Sequence, residues 1–474
     1  MKRVAIIGGG ISGLAAAYEL ELARQRGAAI DWHLYEASNR LGGIVETTRV
    51  TTPEGEFILE GGPDGWVSEK PWASELAIEL GLELELIFSN DATRKTYILI
   101  DGKLQPIPDR MRMMVPEDLS ALDNSPLFSE SAKLAYANEI TRAEELKSGA
   151  PDHDESVADF ARRHFGDEVL NTLAAPLLSG VFGGDVHKLS VRAVMPQFVA
   201  MEREHGSLIT ALQLKSSQRT QALPIFTSLR NGLASLVDAL ASVLPLDRVH
   251  TAIPVKDIGD ENRWQVVVEE KGQLIADRFD EVILATSLDS GRDLLRLKGD
   301  QRLIEFLPVD ASSAILVAFA WTQDLAQAFT IPPGFGFLVP QGSTTDRQLL
   351  ACTFVDRKFP HRAPPSARVL RAFFGGTSAE SLSSESDEEI AKLALVQLRN
   401  ILGHLPEPSF HAVRRWPRSL PQYEVGHLER IERLETMVAG VPGLHLLGNS
   451  YRGVGLPDLI RDARATARAI DAAG

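Results

Sequence analysis

Val4-Ala5-Ile6-Ile7-Gly8-Gly9-Gly10-Ile11-Ser12-Gly13 opens the chain, and the fold turns on how it is read. Four apolar residues fit a buried strand that ends in a glycine turn. Residues 14–26 then read as a helix, residues 30–35 as a second strand, and Glu36 follows directly. Each part meets a need of a dinucleotide. Gly8 permits the tight turn, Gly10 lets backbone N–H groups approach a pyrophosphate, and Gly13 allows the helix to pack close to the strand. A diphosphate would rest on the positive end of the helix, near Gly9, Gly10, Ile11 and Ser12. Glu36 follows Gly13 by 23 residues, close to the spacing of about 20 for a carboxylate that accepts ribose hydroxyls. A glycine turn alone ends many strands without binding anything. Here the strand, the helix and the acid are all in place.

At 474 residues the chain exceeds what one core usually supports, so two or three domains are expected. The net charge of −15, with no cluster of Lys and Arg, argues against nucleic acid as a partner. It also opposes whole-surface attraction to an anionic membrane, although a local patch leaves room for peripheral contact with lipid. The densest apolar run, residues 311–321, is too short to form a transmembrane segment. Lys2-Arg3 before an apolar stretch has the outline of a secretory signal, but the glycine turn inside it favours a mature strand. Cys352 is the one cysteine; it excludes an intramolecular disulfide and sits in an apolar stretch that suits a small buried residue. A cytoplasmic protein fits these features.

Beyond Gly43, residues 47–59 suggest a hairpin around Pro53-Glu54-Gly55. It delivers Glu60-Gly61-Gly62-Pro63-Asp64-Gly65-Trp66, a backbone with little side-chain bulk that is equally readable as a plain turn. Residues 76–80 read as a short helix stopped by Gly81. From about residue 104 to 214 the composition shifts to helix formers, with one helix expected over 129–147 and another after the capping pattern Ser156-x-x-Asp159. Pro176 is expected to mark a break. An amphipathic helix over 233–244, strands near Val255 and over 264–268 and 281–285, and strand-like runs between 314 and 374 follow. A helix over 388–402 ends at Gly403. The chain closes with a strand at 444–447, Gly448-Asn449, and Gly453-Val454-Gly455-Leu456-Pro457 opening a helix over 458–473, a second helix N-terminus suited to a phosphate or ring oxygen.

Glu36-Ala37-Ser38-Asn39-Arg40-Leu41-Gly42-Gly43 resembles the FAD-dependent amine oxidases, desaturases and porphyrinogen oxidases, whose second strand ends in an acid, a basic residue and Gly-Gly. The similarity to porphyrinogen oxidases of haem synthesis covers most of the chain. It is carried by Gly62-Pro63-Asp64, by Leu177 to Asp185 with Leu189-Ser190, and by Met201-Glu202-Arg203-Glu204-His205 before Ser207. Trp416-Pro417, Pro421-Gln422-Tyr423, Gly426-His427 and the segment from Gly453 to Asp458 complete it, whereas Arg461 departs from the family's usual small or acidic residue.

The resemblance implies an α/β fold: a Rossmann-type FAD-binding domain (1–87, 226–301 and 428–474), an antiparallel-sheet substrate-binding domain (88–103, 212–225 and 302–427) and an inserted helical domain (104–211). It places Arg40 against the phosphates, Gly42 and Gly43 at the cofactor's centre, and Gly62, Pro63, Asp64 and Gly65 beside the isoalloxazine. Val255 would meet the adenine through its backbone. Trp416 would sit near the ring, although by itself it reads as a core aromatic beside a proline turn. Gly448, Gly455, Leu456 and Pro457 complete the flavin set. Lys70, otherwise a surface lysine, becomes a candidate for a substrate propionate, and Val181, Phe182 and Gly183 would lie along a tetrapyrrole's face.

The implied activity is oxidation of protoporphyrinogen IX or coproporphyrinogen III to the porphyrin in three two-electron steps. Oxygen is the simplest acceptor, and hand-over of the product to the next haem-pathway enzyme is implied as well. No metal-ligand spacing or Ser-His-Asp arrangement appears, and His164, His187 and His205 are as readily surface residues as functional ones. No catalytic residue is assigned. Another flavin amine oxidase or desaturase, and a non-catalytic FAD-stabilised scaffold, remain alternatives. Use of NAD(P)H is not expected: Gly334-Phe335-Gly336 runs into a strand, and Gly375-Gly376 reads as the start of a Ser-rich loop rather than of a helix.

With its one cysteine far from the C-terminal flavin segment, the chain should hold FAD noncovalently. Acid precipitation should release the yellow colour into the supernatant, and colour retained in the pellet would contradict this. Gly10→Leu should leave the protein colourless.

Overall fold

A computed structural model describes residues 1–217, 224–260, 263–298, 301–340 and 347–472. The opening strand, Lys2–Ile7, lies at the centre of a five-stranded parallel sheet. The order is Val249–His250, Ile30–Tyr35, Lys2–Ile7, Glu281–Leu284 and Leu444–Leu446. Strand side chains alternate between faces, so an unbroken apolar run serves two cores at once. Val4 and Ile6 face a core with Leu14, Ala17 and Leu20 of the helix Ile11–Gln25 and with Ile460 and Ala467 of the final helix, Leu456–Ala472. Ala5 and Ile7 face the opposite core, with Trp264, Phe279 and Leu295. Two of those residues come from a three-stranded antiparallel sheet, Val255–Asp260, Trp264–Glu270 and Gln273–Phe279.

The second layer is a seven-stranded sheet ordered Phe410–Pro421, Ala311–Trp321, Arg368–Gly375, Ala351–Phe354, Gly336–Leu338, Thr96–Ile100 and Lys103–Pro106. It is antiparallel except where Gly336–Leu338 pairs with Thr96–Ile100. Helix Asp387–Leu402 covers one face, capped by the Ser386 hydroxyl, which accepts from the Glu389 N–H. Phe410–Pro421 contains both Pro417 and Pro421, and it is an edge strand, where a missing N–H costs no ladder bond. Trp416 therefore stands on a strand, not beside a proline turn.

The helical layer includes Glu130–Thr141, Val157–Val169, Ala175–Phe182 and Pro196–His205 around Phe160, Phe165, Phe198 and Leu208. These three layers are the Rossmann-type, sheet and helical parts that the resemblance implied.

Several local expectations are corrected. The single helix over 129–147 is two, Glu130–Thr141 and Ala143–Ser148, turning at Arg142. No break occurs at Pro176. A wide π turn, Leu170–Ala174, precedes it, and the proline then falls in the first turn of Ala175–Phe182, where it is tolerated. Gly376–Ser381 is a short helix, not a loop. The helix before Gly81 begins earlier, at Trp72, and the final helix begins at Leu456; its expected end, Ala473, lies outside the described residues. His164 is not a surface residue: it is buried between Glu139 (3.2 Å) and Glu202 (2.9 Å). Among the described residues, no helix is long and apolar enough to cross a membrane.

Candidate active site

The glycine turn works through contacts that exclude a side chain. A Cβ on Gly13 would stand 1.9 Å from the Gly8 carbonyl oxygen, and one on Gly8, whose φ is +108°, would stand 2.4 Å from the Ala285 oxygen. The first helix therefore meets the strand end at backbone distance, and its N-terminus opens beside the sheet's carboxyl edge. Gly10 differs: a Cβ there would meet only Gly43 Cα, at 4.0 Å, so the position is open where a ligand would approach. Glu36 is fixed by two backbone donors, the Gly9 N–H at 2.7 Å and the Ser38 N–H at 2.8 Å.

These residues border a cavity of about 1130 Å³, beyond the usual range of roughly 300–1,000 Å³ for ligand pockets. One end is lined by Gly8, Gly10, Ile11, Ser12, Glu36, Ala37, Gly42 and Gly43, with Val255 nearby. Pro63, Asp64, Gly65, Trp416, Gly448, Gly455, Leu456 and Pro457 line the cavity as well. Lys70 and Phe182 line it together with Ala193, Val194, Pro196 and Gln197 of the helical layer.

Among the described residues, four of the expected site residues do not line this cavity. Gly9 and Gly13 act one step back, as above, and Gly62 packs so closely on Ile44 that a Cβ would stand 1.9 Å from its carbonyl oxygen. Gly183 (φ +63°) terminates the helix Ala175–Phe182, and the side chain of Val181 lies outside the described residues. Arg40 does line the cavity, but its guanidinium is turned onto the carbonyls of Leu41, Gly43 and Val45.

The segment from Gly61 to Gly65 is held from outside at three of its five carbonyls. The Trp416 indole donates to the Gly61 oxygen (2.6 Å), the Arg371 guanidinium to the Gly62 oxygen, and the Ser228 hydroxyl to the Asp64 oxygen (2.7 Å). Lys358 Nζ lies 3.1 Å from both carboxylate oxygens of Asp64, and Arg371 Nη1 lies 3.3 Å from one of them. Behind them Arg362, fully buried, reaches Ser228 (2.5 Å) and Glu60 (2.9 Å). Burial alone would raise the Asp64 carboxyl, but Lys358 and Arg371 outweigh it and bring it down to about 2. For Glu60 burial prevails over Arg362 and its pKa is raised.

The other cations around the cavity are already paired. Lys70 Nζ lies 2.6 Å from Asp458 Oδ2, Lys256 lies 2.7 Å from Glu269, and Arg418 grips Asp289 with two hydrogen bonds. Tyr423, also in the wall, donates its hydroxyl to the Asn449 oxygen (2.7 Å), and burial raises its pKa. Among the described residues, no group of His, Cys, Asp and Glu could hold a metal ion.

Residues 11–471 match the family described as flavin containing amine oxidoreductase. The chain belongs to that family. Coproporphyrinogen III oxidase of Bacillus subtilis (strain 168) is 32% identical, with 98% of this chain and 97% of that protein aligned. Protoporphyrinogen oxidase 1, chloroplastic, of Arabidopsis thaliana is 27% identical over 98% of this chain and 86% of its own length. A crystal structure from Exiguobacterium sp. 255-15, provisionally named a protoporphyrinogen oxidase, superposes with a TM-score of 0.82 at 32% identity, covering 100% of this chain and 99% of that one.

A member of this flavin oxidoreductase family uses FAD, and the residues present fit it. The open position at Gly10, the helix N-terminus beside it and the oriented Glu36 carboxylate are the donor and acceptor set of an unphosphorylated dinucleotide. Sequence reasoning missed Lys358, Arg362 and Arg371, and it gave Tyr423 only as a mark of the resemblance, without a role in the site. Arg371 did leave a signal, since it is a lone charge inside the apolar strand Arg368–Gly375. Lys358 and Arg362 left none.

The Asp64 shift fixes the sign of one pH effect. A folded pKa of about 2, below the ordinary carboxyl value, adds stability above about pH 4 that is lost as pH falls toward 2. Its size is about 2 kcal/mol. In urea unfolding, the deficit of Asp64→Asn relative to the parent protein should be full at pH 6 and should shrink steadily below pH 4. A deficit independent of pH would contradict the ionised pairing.

Proposed function

We infer that this chain is an FAD-dependent oxidase of a porphyrinogen, with coproporphyrinogen III the first substrate to test. One observation carries the reading. A single cavity joins the dinucleotide end, at Gly10 and Glu36, to Lys70, Phe182 and the helical layer, in a chain aligned almost end to end with a coproporphyrinogen III oxidase. Three relatives named for that substrate are 29–32% identical and five named for protoporphyrinogen 26–29%, while the Exiguobacterium structure, also named for protoporphyrinogen, stands at 32%.

FAD bound in this cavity would supply the electron chemistry, as a carrier of two electrons in each round. The chain's own residues bind and orient. Glu36 accepts from the ribose hydroxyls, and the N–H groups at Gly10, Ile11 and Ser12 take the diphosphate. Gly61 to Gly65 offers a flat backbone wall, braced by Trp416. The N-terminus of Leu456–Ala472 also lines the cavity, where first-turn N–H groups without a helical partner would be offered to the cofactor. Phe182, Val194 and Pro196 form an apolar wall suited to a macrocycle's face. Lys70 offers its ammonium to a propionate in partial exchange for Asp458, whose charge keeps Arg461 at 3.4 Å.

In each round the ring loses one hydride from a meso carbon and one proton, and three rounds convert the porphyrinogen to the porphyrin; two of the three protons leave pyrrole nitrogens and the third leaves the remaining meso carbon. With oxygen as acceptor, each pair of electrons and its two protons leave as one hydrogen peroxide. Release of the porphyrin to a following enzyme, and a cytoplasmic setting with peripheral contact at a membrane, belong to the same proposal.

The experiment is steady-state turnover of coproporphyrinogen III and protoporphyrinogen IX, followed by porphyrin fluorescence. Lys70 is half-exposed and already paired, so Lys70→Ala should raise KM by about tenfold, at the low end for a charge-assisted contact. Its kcat should change little, because ground and transition states lose the same contact. Oxidation of a simple amine but of neither porphyrinogen would overturn the reading. An unchanged KM for both would return Lys70 to the surface.

A further inference from the structure

The charges behind Gly61 to Gly65 are more than braces. Three cationic side chains, Lys358, Arg362 and Arg371, face two carboxylates, Glu60 and Asp64, so the cluster carries one positive charge in excess. Burial lowers the proton affinity of both arginines, yet a guanidinium does not give up its proton in a protein, so both stay charged. Arg362 Nε and Nη1 and Arg371 Nε are buried without a hydrogen-bond partner, so part of that charge has no local acceptor. The cluster lies directly behind the cavity wall: Asp64 and Phe226 line the cavity, and Lys358 Nζ sits 4.3 Å from the centre of the Phe226 ring. In such a poorly solvated place a fixed charge acts over a longer reach than in water.

We propose that this cluster sets the electron affinity of the flavin, with Lys358, Arg371 and Asp64 as positioning residues that also supply the field. The inference rests on the reading of the cavity as the FAD site, in which the ring lies beyond the diphosphate, against Gly61 to Gly65. Reduction places negative charge on the ring, and an excess positive charge behind the wall favours it. The same residues fix the wall's geometry, because the Gly62 oxygen and the Asp64 carboxylate are both held by Arg371. Neither cation belongs to the nucleotide-binding stretch. Arg371 lies on the inner strand Arg368–Gly375 of the seven-stranded sheet, and Lys358 ends the short helix Val355–Lys358. A sheet outside the nucleotide layer thereby acts on the cofactor.

The test is the two-electron midpoint potential of the bound flavin, measured by reductive titration against a reference dye, after flavin content has been confirmed by absorbance. Lys358→Met removes a cation and should lower the affinity for reduced relative to oxidised flavin by about tenfold, a shift of about −30 mV for a two-electron couple. Asp64→Asn removes an anion and should shift the potential by a similar amount upward. The double variant and Lys358→Arg both keep the net charge, so their midpoints should stay close to the parent's, and they keep the test decisive where a single variant fails to fold. Single variants that hold FAD at the parent midpoint, or that both shift in the same direction, would overturn the inference while leaving the FAD site intact. So would a displaced midpoint in the charge-preserving variants. A parent protein that takes up no FAD would overturn the cavity reading itself, and this inference with it.

Discussion

A helix can lie against a strand at backbone distance only where neither carries a side chain, and the contact of Gly13 with the Gly8 carbonyl meets that condition. The rest of the molecule follows from it. Once the first helix is seated there, its N-terminus opens at the carboxyl edge of the parallel sheet, and Gly9 can hold the Glu36 carboxylate from the neighbouring strand. Val4 and Ile6 then bury against that helix while Ala5 and Ile7 bury behind it, so the strand is locked from both faces. Any larger residue at Gly13 would push the helix outward and dissolve both the anion site and the core beneath it.

The second constraint is that a flat cofactor needs a wall without side-chain bulk, and such a backbone has few means of holding itself. Here the wall is held from elsewhere. Trp416 and Arg371 bind its carbonyls from two strands of the seven-stranded sheet, and Ser228, backed by Arg362, binds a third. The nucleotide layer and the sheet layer are thus joined by hydrogen bonds at the place where chemistry is proposed to occur. At the other end, Asp458 at the start of the final helix reaches Lys70 across the cavity. The helical layer adds apolar surface there, through Phe182, Val194 and Pro196, with Gln197 as its polar member.

What the sequence made legible is what local spacing encodes. The glycine turn, the acid at Glu36, the hairpin before Gly61 and the glycines of the final helix are all read within short windows, and the structure brings most of them to one cavity. What it hid depends on distant partners. Lys70 reads as a surface lysine until Asp458, 388 residues away, is placed against it. Lys358 and Arg362 sit in a stretch with no periodicity, and only the fold turns them toward Asp64 and Glu60. His164 looks like any polar helix residue because its two carboxylate partners lie on other helices. The turn expected at Trp416 differs from the strand observed for a simpler reason: a proline after it suggests a turn, and an edge strand tolerates one equally well.

The central claim is that one cavity holds FAD at one end and a porphyrinogen at the other, close enough for direct electron transfer. Anaerobic single-turnover mixing of the FAD-loaded protein with coproporphyrinogen III tests it most directly. With flavin in excess, absorbance of the oxidised cofactor should fall as porphyrin fluorescence rises, with three flavins reduced for each porphyrin formed. Flavin that stays oxidised while porphyrin accumulates, or that bleaches with no porphyrin formed, would contradict the account.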